Sequence, residues 1–184
     1  IVEARPITPE DATHAVDDLW YGWYQPTHTI GKVQQWHGNA GAIIRCWAYY
    51  RRYGNGLKTM SEHAVLNANY LRHALHREAE AAGVSDMIVD GAETDVAKHE
   101  FTISLGPAKE AHGISAMDVA KGLLDMGYMA PTVYFPLVVP ECMMIEPTET
   151  ESKDTLDTFA EDFAKVLQVE AETLHNAPIT TPVR

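Results

Sequence analysis

The fold turns on residues 101–105, Phe101-Thr102-Ile103-Ser104-Leu105. Three apolar side chains alternate with two hydroxyls, the period of a strand that buries one face. Upstream the period changes. In Leu57 to Gly83, LKTMSEHAVLNANYLRHALHREAEAAG, the residues Met60, Ala64, Ala68, Leu71 and Leu75 recur at steps of three and four. That spacing predicts one apolar stripe of a long helix, and Gly83 suits the left-handed position just past its end. Before it, Ala42 to Tyr53 contains no Gly or Pro and reads as a helix after a glycine turn. Residues 1–30 read as a loop-rich start with an aromatic cluster, Trp20, Tyr21, Trp23 and Tyr24.

Downstream, Met87-Ile88-Val89, Thr132 to Phe135 and Met143 to Ile145 read as further short strands. Ser115 and Asp118 stand at capping-box spacing. They open a helix striped by Val119, Leu123 and Leu124 and stopped at Gly127. A last helix follows Glu146-Pro147-Thr148-Glu149-Thr150-Glu151-Ser152. Thr148 and Glu151 are its expected cap, and Leu156, Phe159, Phe163, Val166 and Leu167 its buried face. Leu174 onward reads as a polar, proline-bearing tail. Helices and strands mixed in this order predict an α/β chain, or an α+β domain, with a small sheet covered by helices on one side.

The totals bound the function. A chain of 184 residues is long enough for one core. Its net charge of -12 opposes a nucleic-acid surface, which needs a basic face. No apolar run is long enough for a membrane span. The start, IVEARPITPED, lacks the basic-then-apolar pattern of a signal peptide, so a cytoplasmic protein is expected. The first residue is Ile1 and the chain ends TTPVR, which suggests part of a longer polypeptide. Cys46 and Cys142, the only cysteines, read as reduced, partly buried thiols, and the nine His show no metal spacing.

Several residue groups carry candidate chemistry. Gly38-Asn39-Ala40-Gly41 opens a helix and exposes N–H groups at its positive end. It reads as an anion site or as a plain turn, the plain turn being favoured on spacing alone. His99-Glu100 reads as an acid–base pair or, because adjacent strand residues face opposite sides, as one buried and one solvated group. Arg45 suits a carboxylate grip or a surface ion pair. His63 and Asn67 share a helix face with Asn69 nearby, and a polar contact to a neighbouring element is their default. Thr132 and Tyr134 alternate toward one strand face, as packing residues or as site residues.

Taken together these words resemble a family. SEHAVLNANYL (61–71), KHEFTISL (98–105), SAMDVAKGLLDMG (115–127), PTVYFPLVV (131–139) and EPTETESKDTLDTF (146–159) are similar to the C-terminal part of glycine decarboxylase. This is the P-protein of the glycine cleavage system, and the likeness is to its second subunit where the enzyme is split. IGKVQQWHGNAGAIIRCWAYY (30–50) matches the preceding segment and NAPITTPVR the family's end. The resemblance implies a C-terminal segment of a fold type I, aspartate-aminotransferase-like enzyme. Pyridoxal 5'-phosphate is its cofactor. It decarboxylates glycine and passes the aminomethyl group to lipoylated H-protein.

The family's cofactor lysine sits in a His-Lys motif upstream. This chain has no His-Lys dipeptide, so an isolated segment is expected to be inactive. Residues 1–56 correspond to the end of the large domain, 57–83 to a connecting helix, 84–175 to the small domain and 176–184 to a tail. The expected partner is the N-terminal part, or the other subunit, of the same enzyme. By position in the family, Gly38, Asn39 and Gly41 are cofactor-phosphate candidates, and His99, Glu100, Thr132 and Tyr134 are pocket or interface candidates. Four positions depart from the family's habit. His37 replaces an aromatic, Gly122 an Arg, Met129 a frequent His, and Lys98 a Met or small residue. The alternative reading is a non-catalytic module that only binds or stabilises a partner subunit.

Overall fold

The computed structural model describes residues 14–16, 19–21, 27–31, 38–91 and 95–179. The chain forms two compact units, residues 1–52 and 53–184. In the first, β1 (His14–Val16) and β2 (Leu19–Tyr21) pair as an antiparallel hairpin where only loop was expected. Trp23, Tyr24 and His37 lie outside the described residues. The helix α1 (Ala40–Tyr53) starts two residues before the expected Ala42. Asn39 explains this, because its side-chain oxygen accepts from the Ala42 N–H at 3.1 Å and caps the first turn. Gly38 turns into the cap with φ +80, a conformation that favours glycine.

The second unit is an α+β domain. The long helix α2 (Leu57–Ala81) buries Ala68, Leu71, Ala74, Leu75 and Ala79, so the stripe is real but sinks into the core only over its C-terminal half. Gly83 ends it at φ +73, as expected, with Val84 N–H donating back to the Ala79 carbonyl at 2.9 Å. Four strands follow, β3 (Val89–Asp90), β4 (Phe101–Ser104), β5 (Thr132–Val133) and β6 (Cys142–Ile145). They form one antiparallel sheet in the order β3-β4-β6-β5. Three strands are shorter than expected, β4 because Leu105 lies beyond its end. Met87 belongs to a helical turn over Ser85–Met87, and Tyr134 leaves the sheet with a left-handed φ of 59.

Register sorts the two faces of the sheet. Phe101 faces Ile145 and Ile103 faces Met143, and all four enter the core with Leu75, Leu123 and Phe163. Each large side chain buried there contributes about 1.5–3 kcal/mol. The other face carries Thr102, Ser104 and Cys142, also buried. Loops cover these residues. The Ser104 hydroxyl donates to the Pro140 carbonyl at 2.6 Å, and the Cys142 thiol to the Phe135 carbonyl at 3.1 Å.

Two helices went unforeseen, α3 (Gly106–His112) and α6 (Ala171–His175). Gly106-Pro107 resembles a turn, yet proline is tolerated in a first helical turn, whose N–H groups have no intrahelical partner. Between them lies α4 (Ala116–Asp125), opened by the expected capping box. The Ser115 hydroxyl accepts from Asp118 N–H at 3.2 Å, and the Asp118 carboxylate accepts from Ser115 N–H at 2.9 Å. Val119 and Leu123 are buried, whereas Leu124 faces solvent. Leu174, expected in a polar tail, is buried in the core. It packs over Gly122, where an added Cβ would stand 2.5 Å from Val166 Cγ1 and 3.3 Å from Leu174 Cδ2.

The last long helix, α5 (Lys153–Leu167), also corrects an expectation. Its cap is Ser152, whose hydroxyl accepts from Thr155 N–H at 3.2 Å, and not Thr148. Thr148 instead pairs its hydroxyl with that of Thr150 at 2.7 Å. The reason lies on α2, whose Asn67 holds the carbonyls of Thr148 and Glu151 and keeps the hinge out of the helix.

Candidate functional site

Asn67-Ala68-Asn69-Tyr70-Leu71 organises the site. Asn67 Nδ2 donates to the Thr148 carbonyl at 2.9 Å and the Glu151 carbonyl at 3.1 Å. Asn69 Nδ2 donates to the Ala97 carbonyl at 2.8 Å and its Oδ1 accepts from Ala97 N–H at 2.9 Å, a reciprocal pair that fixes the approach to β4. The Tyr70 hydroxyl donates to Asp157 on α5 at 2.5 Å. Successive residues of one helix thus hold two loops and a second helix. Below the hinge, Tyr53 donates to Glu149 at 2.6 Å and holds that carboxyl below its ordinary range.

One turn further on, Arg72 is buried and grips Asp90 through two hydrogen bonds of 3.0 and 2.7 Å. Its third donor goes to the Asp95 carbonyl, and His76 meets Asp90 at 2.9 Å. Burial pushes the Asp90 carboxyl up, but the bonds from Arg72 and His76 outweigh it, and Asp90 lies below the ordinary carboxylate range. This cluster fixes the β3 edge of the sheet against α2.

The ends of three strands meet beside these clamps. Because β4 and β5 both run antiparallel to β6, the starts of β4 and β5 lie next to the end of β6. A groove of about 440 Å³ opens there. Leu71, Leu156 and Phe159 give it an apolar floor, and Thr132, Glu146 and Glu151 supply polar groups. His99 Nε2 stands 3.9 Å from Glu146 Oε1, both side chains being about half exposed (55% and 56%). The arrangement can accept a ligand with an apolar body and donor or cationic ends, held by hydroxyl and carboxylate oxygens.

The sequence candidates divide accordingly. His99 and Thr132 reach the same end of the sheet, with Glu146 between them in the register. Neither His99, exposed, nor Glu100, half-buried beside it, lines the groove, whereas Thr132 does. Tyr134 lies at the opposite end of β5, where its N–H donates to the Cys142 carbonyl at 2.8 Å, so Thr132 and Tyr134 do not share a pocket. In the first unit, Gly38, Asn39 and Gly41 form an exposed turn at the α1 N-terminus, with no acidic residue in the first turn. Arg45 and His63 are exposed. Met129 stands on the groove rim, 93% exposed. Cys46 is exposed, Cys142 is buried, and neither forms a disulfide. Among the described residues no grouping of His, Cys, Asp and Glu could hold a metal ion, and no helix is long and apolar enough to cross a membrane.

Sequence reasoning missed Glu146 as a groove residue, treating it only as hinge. Its signal is positional, since Glu146 directly follows the last residue of β6 and so projects at the sheet end. It also missed Glu141, which has φ 44 and whose carboxylate accepts from the Ala116 N–H at 2.8 Å.

Comparison with known proteins gives this domain its family. Residues 60–181 match the family described as glycine dehydrogenase, C-terminal domain. A relative from Thiobacillus denitrificans, a probable glycine dehydrogenase (decarboxylating) subunit 2, is 49% identical over 161 residues, 85% of this chain and 32% of its own length. A protein of the same description from Thermosipho melanesiensis is 44% identical over 172 residues, 91% of this chain and 34% of its own. The Desulforamulus reducens counterpart is 43% identical over 187 residues, 99% of this chain and 36% of its own. The chain belongs to the glycine dehydrogenase (decarboxylating) family and carries its C-terminal domain. It spans about a third of the length of these curated relatives.

Proposed function

We propose that the chain is the C-terminal part of a pyridoxal-phosphate-dependent glycine dehydrogenase (decarboxylating) of fold type I. In this reading the complete enzyme decarboxylates glycine and transfers the aminomethyl group to lipoylated H-protein. The observation that carries it is the family match over residues 60–181. When bound, pyridoxal phosphate supplies the electron sink for loss of the glycine carboxylate. Its lysine comes from polypeptide outside this chain, because the family's His-Lys motif is absent here. Residues 1–56 then end the large domain, 57–83 connect, 84–175 form the small domain and 176–184 the tail.

The turn at 38–41 fits a phosphate. It is exposed, it sits at the positive end of α1, and no carboxylate in the first turn competes. Gly38 sets the turn, Asn39 caps it, and Gly41 leaves backbone approach open, its nearest neighbour to an added Cβ being Asn39 Oδ1 at 3.4 Å. In the second unit, Thr132 serves the groove, His99 stands at its edge 3.9 Å from Glu146, and Glu100 and Tyr134 serve an interface. The departure at Gly122 has a packing rationale, since Val166 and Leu174 fill the space a side chain would need.

The lysine assignment is tested by borohydride reduction. The 184-residue chain incubated with pyridoxal phosphate is expected to give no adduct confined to one lysine, by intact mass and peptide mapping. A stoichiometric adduct on a single lysine here would refute the assignment. The competing reading, a non-catalytic module, rests on Met129 replacing a frequent family His at the exposed groove rim.

A further inference from the structure

The loop 134–141 presents an apolar tip on a rigid base. From Val133 to Pro140 it carries no charged residue. Phe135, Leu137 and Val138 are 57%, 87% and 85% exposed, whereas Val139 is buried. The base is fixed on both sides. Tyr134 and Glu141 both hold left-handed conformations, at φ 59 and 44, that non-glycine residues rarely adopt. Across the loop's foot the Tyr134 N–H donates to the Cys142 carbonyl and the Cys142 thiol to the Phe135 carbonyl, and the Ser104 hydroxyl donates to the Pro140 carbonyl. Glu141 accepts from Leu105 N–H through its carbonyl at 3.0 Å and caps α4 through its carboxylate. A strained and anchored backbone that delivers three large apolar side chains to solvent is a device for contact, not a slack connection.

We infer that this tip is a permanent docking surface for the polypeptide that the curated relatives carry beyond the third matched here. The inference rests on the functional reading above and adds the surface. Two observations select this occupant. First, the relatives' chains are about three times as long as the matched part, so in them further polypeptide is available within the same chain to cover the tip. Second, the tip lacks charged residues altogether, as surfaces that never part tend to, whereas surfaces that come and go carry more polar groups. A second copy of this chain is a poorer occupant because each copy carries a net charge of -12.

The test compares the 184-residue chain with a full-length chimera. In the chimera this chain replaces the matched third of the Thiobacillus denitrificans relative. Hydrogen exchange at the Leu137 and Val138 amides is expected to slow by at least about tenfold in the chimera relative to the isolated chain. Leu137→Asp is expected to leave the melting temperature of the isolated chain unchanged and to lower that of the chimera by several degrees. Equal exchange in both proteins, with Leu137→Asp silent in both, would overturn the inference alone. Self-association of the isolated chain that Leu137→Asp abolishes would assign the tip to a second copy and overturn it too. A chimera whose two parts melt independently would sink both the inference and the reading beneath it.

Discussion

Replacing Asn67 with Ala tests the clamp on the 146–152 hinge. The amide makes two bonds to neutral carbonyls, at 2.9 and 3.1 Å, in a partly solvated setting. Each such bond contributes about 0.5–1 kcal/mol net, so Asn67→Ala costs about 1–2 kcal/mol. The low end applies if water replaces the amide at both carbonyls. With a urea m-value near 2 kcal/mol/M, the unfolding midpoint falls by about 0.5–1 M. Asn67→Asp is the sharper variant, because it keeps the shape but faces both carbonyls with a carboxylate. It is expected to cost about 2–3 kcal/mol, by lost bonds and by repulsion. Urea titration of the 184-residue chain measures both variants, and amide exchange locates the change at residues 148–152. An unchanged midpoint for Asn67→Ala, or Asn67→Asp no worse than Ala, would refute the clamp.

The correction at the start of α5 is tested by Ser152→Ala, expected to cost about 1 kcal/mol, against Thr148→Ala, expected within about 0.5 kcal/mol of wild type; the reverse order would restore the expected cap. Asp118 gives a pH signature. Burial raises its carboxyl, but bonds from Ser115, His175 and Lys121 bring it down to about 2. A depressed carboxyl stabilises the fold above its unfolded pKa near 3.8, and the contribution is lost as pH falls toward 2. Asp118→Asn therefore removes about 1–2 kcal/mol at pH 7, after allowance for solvent screening, and little at pH 2, read by denaturant titration at both values. Gly122→Arg, the residue that the family resemblance leads one to expect there, forces Val166 and Leu174 apart. It is expected to cost about 3 kcal/mol or more by overpacking and burial of an unpaired charge. A melting temperature equal to wild type would show that α6 does not pack as described.

The legible part of the fold was the part with a local period. The α2 stripe, the Ser115 capping box and the strand at 101–104 each depend on neighbours a few residues apart and each is present, although loops bury the hydroxyl face of that strand as well as its apolar one. The sheet order was not legible, because β6 inserts between β4 and β5 and no local pattern specifies that register. Nor were α3 and α6, one hidden behind Gly106-Pro107 and the other too short to show a stripe. The site followed the same rule. His99 and Thr132 could be flagged as residue types, but their nearness to Glu146 comes from strand pairing between distant segments. The Asn67 and Asn69 bonds span 81 to 84 and 28 residues, which is why a helix motif revealed its two clamps only in three dimensions. The Thr148 cap failed because such a long-range bond overrode a local one.

We propose that this chain completes a glycine-decarboxylating site whose lysine lies in other polypeptide. The direct measurement is carbon dioxide release from carboxyl-labelled glycine by the Thiobacillus denitrificans chimera, with lipoylated H-protein present. Release is expected to depend on H-protein and on the chimera's upstream lysine, and to be absent from the 184-residue chain alone. A chimera that binds pyridoxal phosphate and melts as one protein, yet releases no more than an enzyme-free control, would contradict the proposal.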